Sequence, residues 1–381
     1  MLSDEQLELK SAVTRCLERS VGPRPFLAGE PTTETAWDPE LWRVLGTEVG
    51  IAGLVVPEEL GGSGARYAEL AVVAEALGTG PAAVPFLGTV ALATSALLVH
   101  RDDPVSRELL SRIAEGGTTA TLACTDNADT CDFQAACSGA GVTAAEAEGE
   151  WRLTGRVGFV VDTTTADELL VAARTPAGVA LLVVAGVAAG VERVQSASLD
   201  LTRPLGVLTL DGALGRLIGP PEGADERISS ALDLALVVLA AEQVGGMQAC
   251  LDGAVEYAKQ RVQFDRPIGS FQAIKHQLVD VLLEVEMARS AAETATAAAD
   301  AFLLEPGPET ARALTVAASL AKSVCSEAFM RTAEATLHVY GGTGFTWEHD
   351  AHLHWRRAKA SELFLGTPVT HRERLAVGAG L

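Results

Sequence analysis

The chain runs to 381 residues, too long for one ordinary hydrophobic core, and 48% of them are hydrophobic, so two or three well-buried domains are expected. A formal net charge of −21 argues against nucleic acid as a partner, because neutralising phosphates needs clustered Lys and Arg, and it also disfavours anionic membrane surfaces. With only 5% aromatic residues, Ala, Leu and Val must build most of the core.

The first 118 residues read as helices. "SDEQLELKSAVTRCLERSV" opens on Ser3 as an N-cap with acids in the first turn. It lacks the basic and apolar regions of a secretion signal, so a cytoplasmic location is expected. "GLVVPEELGGSG" (53–64) breaks the helical texture, since Pro57 and the clustered glycines cannot sit inside a helix. "AELAVVAEALG" then ends on a glycine stop.

From 119 to 222 the chain turns to short β-branched or alternating runs, among them "TATLACT", "WRLTGRVGFVV" and "GVLTLDG", split by Gly, Asp and Pro turns. Long helical stretches return from 223 to 381. Their most apolar run, "LALVVLAA" (234–241), lies between Asp233 and Glu242 and is too short to cross a bilayer, so no membrane association is expected. The fold class expected is α+β, with an N-terminal helical domain (1–118), a middle β-barrel or sandwich domain (119–222) and a C-terminal helical bundle (223–381). Cys16, Cys124, Cys131, Cys137, Cys250 and Cys325 form no CxxC pair, which speaks against a structural zinc and against a disulfide framework.

Three stretches carry candidate chemistry. His349, His352 and His354 are close in sequence, but no HExxH or carboxylate set completes a ligand shell, so solvated or hydrogen-bonded histidines are expected and no metal. "GGTGF" (341–345) follows a helix rather than a strand, so it fails the dinucleotide fingerprint, although its glycines allow backbone N–H groups to approach a phosphate. In "AKQRVQFDRPIGSFQAIKH" (258–276), Arg261 and Arg266 sit near a helix break at Pro267, a cluster able to hold a pyrophosphate or simply to form surface ion pairs.

Together, "RVQFDRPIGSFQAIKH" and "YGGTGFTWEHDAHLHWRRA" resemble the acyl-CoA dehydrogenase family, as do the "VPEELGGSG" break and the helical–β–helical order. The resemblance covers nearly the whole chain. It implies the family's fold with a C-terminal four-helix bundle, FAD as cofactor, and α,β-desaturation of an acyl-CoA thioester with hydride passing to the flavin. It implies FAD contacts from Arg261, Phe264 and Gln272, largely to a neighbouring subunit's cofactor. His338, Gly341 and Gly342 fall at the family's turn beside the flavin nucleotide, Thr367 at its last adenine-side contact, and Thr125 and Phe159 against the flavin ring. It also implies a homotetramer or a heterotetramer with a homologous subunit, and an electron-transfer flavoprotein as electron acceptor. "AAEQVGG" and "GFTWEHD" resemble bacterial branches acting on steroid side-chain or other bulky thioesters.

The family's general base is the difficulty. Its usual place, just before the "GT" of "ELFLGTP", is Leu365, and its second place, early in the first C-terminal helix, falls on Ala235. Neither residue can take a proton. Glu242, seven residues after Ala235 and the only charge between Asp233 and Asp252, is the catalytic candidate; desolvation would raise its pKa, unless it is buried for packing and paired with Gln243 or an arginine. Glu348 and Asp350 are lesser candidates. The flavin-side loop departs too: "CTDNADTCD" (124–132) has no glycine and puts Cys131 where a serine is usual. A self-sufficient desaturase with Glu242 as base, and a non-catalytic partner completing another chain's FAD site, are therefore both expected readings. The small residues around 240–246 hint at room for a bulky acyl group.

Overall fold

The fold is that of a computed structural model describing residues 2–20, 22, 37–124, 137–138 and 141–378. Thr125 and Cys131 lie outside the described residues. The N-terminal part holds α1 (Asp4–Arg19), α2 (Pro39–Arg43), α3 (Tyr67–Thr79), a π-helical stretch (Leu87–Ala93) running into α4 (Thr94–Leu98), and α5 (Pro104–Ala114). Ser3 caps α1 with a complete capping box, accepting from the Gln6 N–H while Gln6 accepts from its own. The "VPEELGGSG" break is a pair of tight turns in which Gly62 is obligatory, because a Cβ there would stand 2.1 Å from the Val56 carbonyl oxygen.

Seven strands follow: β1 (Ala120–Ala123), β2 (Val142–Ala147), β3 (Glu150–Val161), β4 (Glu168–Thr175), β5 (Gly178–Ala185), β6 (Val191–Gln195) and β7 (Leu205–Ile218). The sheet runs β1-β4-β2-β3-β7-β5 and closes through a β4–β5 pairing, with β6 added to β7, so the middle domain is barrel-like. β4 and β5 are apolar without alternation for a physical reason. Leu169, Val171, Leu182 and Val184 fill the barrel interior, whereas Leu170, Ala172, Leu181 and Val183 face outward into the main core shared with the helices. Both faces are covered, so no polar face is needed.

The C-terminal part is built on α6 (Ala224–Gln260), α7 (Gln272–Leu304), α8 (Pro308–Tyr340), α9 (Ala351–Leu363) and α10 (Pro368–Gly378). By length and composition α6 and α8 could each cross a bilayer, but 89% of the most apolar window of α6 is buried inside the protein. α6 is the central post, and α3 lies against it almost backbone to backbone. A Cβ at Gly245 would sit 1.9 Å from the Glu75 carbonyl oxygen, and one at Gly78 would sit 2.0 Å from that of Glu242. Gly246 is filled in turn by the Phe329 ring. The small residues of "AAEQVGG" are therefore consumed by helix packing and leave no room for a bulky acyl group, contrary to the hint in the sequence.

Candidate active site and cofactor edge

Leu365 and Ala235, at the two expected base positions, are 2% and 1% exposed and belong to the main apolar core. Leu365 has a left-handed backbone (φ 55°), an unusual state for a branched residue, and His371 Nε2 is 2.8 Å from its carbonyl oxygen. The backbone turn is hydrogen-bonded, but it carries an inert side chain.

Glu242 is buried as expected, but it is not an isolated carboxylate. One guanidinium nitrogen of Arg203 donates to both of its oxygens at 2.6 Å, and Arg357 donates to Oε1. Of the pairings foreseen, the arginine is the one the fold makes; Gln243 instead donates to Ser326 at 3.1 Å. Arg357 also reaches Asp200 at 2.5 Å, the Thr202 hydroxyl at 2.5 Å and the Ala82 carbonyl at 3.4 Å. Arg203 reaches the Ser361 hydroxyl at 3.2 Å, and the fully buried Lys322 donates to the Ser361 and Glu362 carbonyls that end α9.

Burial alone would push Asp200 up, yet Arg357 and Arg203, with the Thr202 N–H and O–H, hold it below the usual carboxylate range. Asp162 behaves in the opposite way. It lines a small cavity together with Arg203, Glu242 and Arg357, has a left-handed backbone (φ 55°) and accepts one bond from the Gly88 N–H at 3.1 Å. Burial pushes it up to about 7, outweighing the Gly88 N–H and the two arginines.

The residues expected to meet the cofactor lie elsewhere. Arg261 ends α6 and opens a two-residue hairpin between β8 (Val262–Gln263) and β9 (Arg266–Pro267). Its turn residues, Phe264 and Asp265, are both left-handed (φ 53° and 62°), and the Phe264 ring is 86% exposed. Arg266 stacks on Phe271, 4.0 Å from the ring centre. Gln272 begins α7 and hydrogen-bonds His276 at 2.8 Å. The "YGGTG" turn meets this hairpin through a small cluster of Ala258, Val339, Ile268 and Tyr340, with Tyr257 and Tyr340 edge to face at 5.0 Å. His338, Gly341 and Gly342 are exposed beside it. The sequence thus brought Arg261, Phe264, Gln272, His338 and both glycines to one surface.

Arginine, glutamine, histidine and glycine N–H donors facing solvent fit the edge of a nucleotide cofactor held from outside. They do not form a closed cradle within one chain. Nineteen residues of α6 separate Arg261 from Glu242, about 28 Å along the helix axis at 1.5 Å per residue. Phe159, by contrast, stands at a β-bulge in β3 (φ 53°), three residues before Asp162. Thr367 caps α10, its Oγ1 accepting from the Thr370 N–H at 3.3 Å, a structural task the sequence did not suggest.

The histidines are hydrogen-bonded or packed rather than simply solvated, and the His349 Nδ1 accepts from the Ala351 N–H at 3.1 Å. His354 is buried, and burial, reinforced by Arg357, pulls it down to about 4. His349 packs on Tyr340 and His352 on Trp347. Among the described residues no cluster of three metal-ligating side chains occurs. Glu348 and Asp350 are exposed, with Asp350 at the start of α9.

Sequence comparison agrees with this geometry. Residues 3–117 match the profile "Acyl-CoA dehydrogenase, N-terminal domain" and residues 226–379 match "Acyl-CoA dehydrogenase, C-terminal domain". This chain belongs to the acyl-CoA dehydrogenase family. It is 32% identical to "Acyl-CoA dehydrogenase IpdE2" of Mycolicibacterium smegmatis over 98% of both chains. Among solved structures it resembles the ChsE4-ChsE5 complex from Mycobacterium tuberculosis (TM-score 0.85, 29% identity, covering 100% of this chain and 98% of that one). It also resembles the Tcur3481-Tcur3483 steroid acyl-CoA dehydrogenase (TM-score 0.84, 28% identity, 99% and 98%). The expected α+β fold, FAD dependence and acyl-CoA dehydrogenase class are those of this family.

Proposed function

We propose that this chain is one subunit of a mixed acyl-CoA dehydrogenase oligomer, in which it lends the Arg261–Gln272 edge to an FAD shared with a homologous chain that supplies the base. The observation that carries this reading is the state of the base positions. Leu365 and Ala235 are buried and apolar, and both oxygens of Glu242 are engaged by guanidinium groups. A general base needs a lone pair within reach of the substrate proton, and ion-pairing to two arginines leaves Glu242 ill placed to offer one. The 28 Å between Arg261 and Glu242 supports a site shared between chains, identical or homologous, and the state of the base positions is what favours a homologous partner.

When bound, FAD supplies the hydride acceptor. This chain's part is to orient it, with Arg261 toward the diphosphate, Gln272 and the "YGGTG" N–H groups toward the nucleotide, and Phe264 as an apolar cover from the neighbouring side. The substrates fitting the relatives are bulky thioesters of the steroid-degradation kind, and the reduced flavin would pass electrons to an electron-transfer flavoprotein in the cytoplasm. The test is the visible spectrum of the chain purified alone and after co-expression with a homologous chain from the same genome. Colourless protein alone and a flavin spectrum in the complex, bleached anaerobically by the right acyl-CoA, are expected. A fully flavinated homo-oligomer that bleaches with substrate would sink the reading and return Glu242 to the role of base.

A further inference from the structure

The network around Glu242 occupies a particular place. Ala235 lies seven residues back along the same face of α6, and Leu365 follows shortly after Ser361, whose hydroxyl accepts from Arg203. Both expected base positions therefore flank the network. The cavity at this junction of all three domains has an apolar wall from the N-terminal part, Leu77, Val84, Phe86 and Leu87, of the kind that would hold a hydrocarbon. Its other wall is Arg203, Glu242, Arg357 and Asp162, and its free volume is about 20 Å³, room for about one water. The two arginines are matched by Glu242 and Asp200, so the cavity holds no surplus cation to recruit an anionic ligand.

The geometry points to a plug: Arg203, Glu242 and Arg357 fill the acyl chamber of this chain and close it to acyl thioesters. The inference deepens the mixed-oligomer reading and rests on it for its place in the reaction. It also means that installing a carboxylate at Leu365 would not create a working site, because the substrate would have nowhere to lie.

The test is calorimetric titration of the full-length chain with an octyl-CoA thioether, which cannot be desaturated as a thioester, with CoA alone as the blank. Wild type and Glu242→Gln, which keeps the volume filled, are expected to show no binding beyond the blank. The double variant E242A/R203A removes one anion and one cation together and keeps the Arg357–Asp200 pair, and it should bind one thioether per chain with at least ~10-fold gain in affinity. If circular dichroism shows that variant unfolded, R203A/E242Q opens less space and serves in its place. One-per-chain binding by wild type overturns the plug, and so does a folded opened variant that still fails to bind.

Flavin absorbance, recorded on the same samples, separates the two ideas. A flavinated wild-type chain that neither bleaches with substrate nor binds the thioether would overturn the mixed-oligomer reading and leave the plug standing, whereas one that bleaches overturns both. A colourless chain that binds the thioether would do the reverse.

Discussion

Asp162→Asn should make the chain more stable, and by an amount that grows with pH. The side chain is 3% exposed and accepts a hydrogen bond from the Gly88 N–H, which an asparagine carbonyl can keep. Its carboxyl goes from 3.8 in the unfolded chain to about 7 in the fold. The sign follows from proton linkage. A raised acid means that the native state binds the proton more tightly, so the penalty is absent below pH 3.8, grows between 3.8 and 7, and is complete above 7. A displacement of about three units at about 1.4 kcal/mol each sets an upper bound of about 4 kcal/mol at pH 8, against about 2 kcal/mol at pH 5. The variant should therefore gain on wild type by a further ~2 kcal/mol between pH 5 and pH 8. The assay is urea denaturation of both proteins at the two pH values and one fixed protein concentration, since association would shift apparent stability. A difference that stays constant with pH, or shrinks as pH rises, would refute the reasoning that Asp162 is desolvated rather than rescued by Arg203 and Arg357.

Other outcomes follow from named contacts. Arg357→Ala strands Asp200 and half of the Glu242 pairing and should cost ~3–5 kcal/mol by denaturation, with Arg357→Lys recovering only part, since one ammonium cannot serve the same fork of partners. Gly245→Ala drives a methyl into the Glu75 carbonyl and should cost ~2–3 kcal/mol or prevent α3 from seating, which thermal melting would show. Phe264→Ala should change the stability of the isolated chain by less than ~0.5 kcal/mol, because the ring is 86% exposed, yet lower the flavin-to-protein ratio of the assembled complex after dialysis.

The parts of the fold set by local pattern were legible in the sequence. Ser3 announced α1 by its capping box, and the Gly, Asp and Pro turns marked the β domain. The clustering of the hairpin and the "YGGTG" turn on one surface was legible too, because Arg261, Phe264 and Gln272 are near neighbours in the chain and "YGGTG" is a self-contained turn. The Glu242 environment was not. Its partners Arg203 and Arg357 are 39 and 115 positions away, and nothing local marks two arginines that tertiary folding aims at one carboxylate. Sequence alone also reads Gly245 and Gly246 as space, since a missing side chain is silent about whether a neighbouring backbone or ring has taken its place. At Thr367 the local signal is a capping one: a threonine before a proline is an ordinary N-cap, and its Oγ1 accepts from the Thr370 N–H.

α6 acts as a ruler with one task at its middle and another at its end. Because the distance between them is fixed by helical rise, and because Glu242 is tied to arginines of its own chain while Arg261 stands at the exposed end, the two positions share no contact through which a side-chain change at one would reach the other. A gene duplicate can therefore let one end decay into packing while the other stays in service. Subunits that look like failed enzymes are, on this geometry, an expected product of a long straight helix.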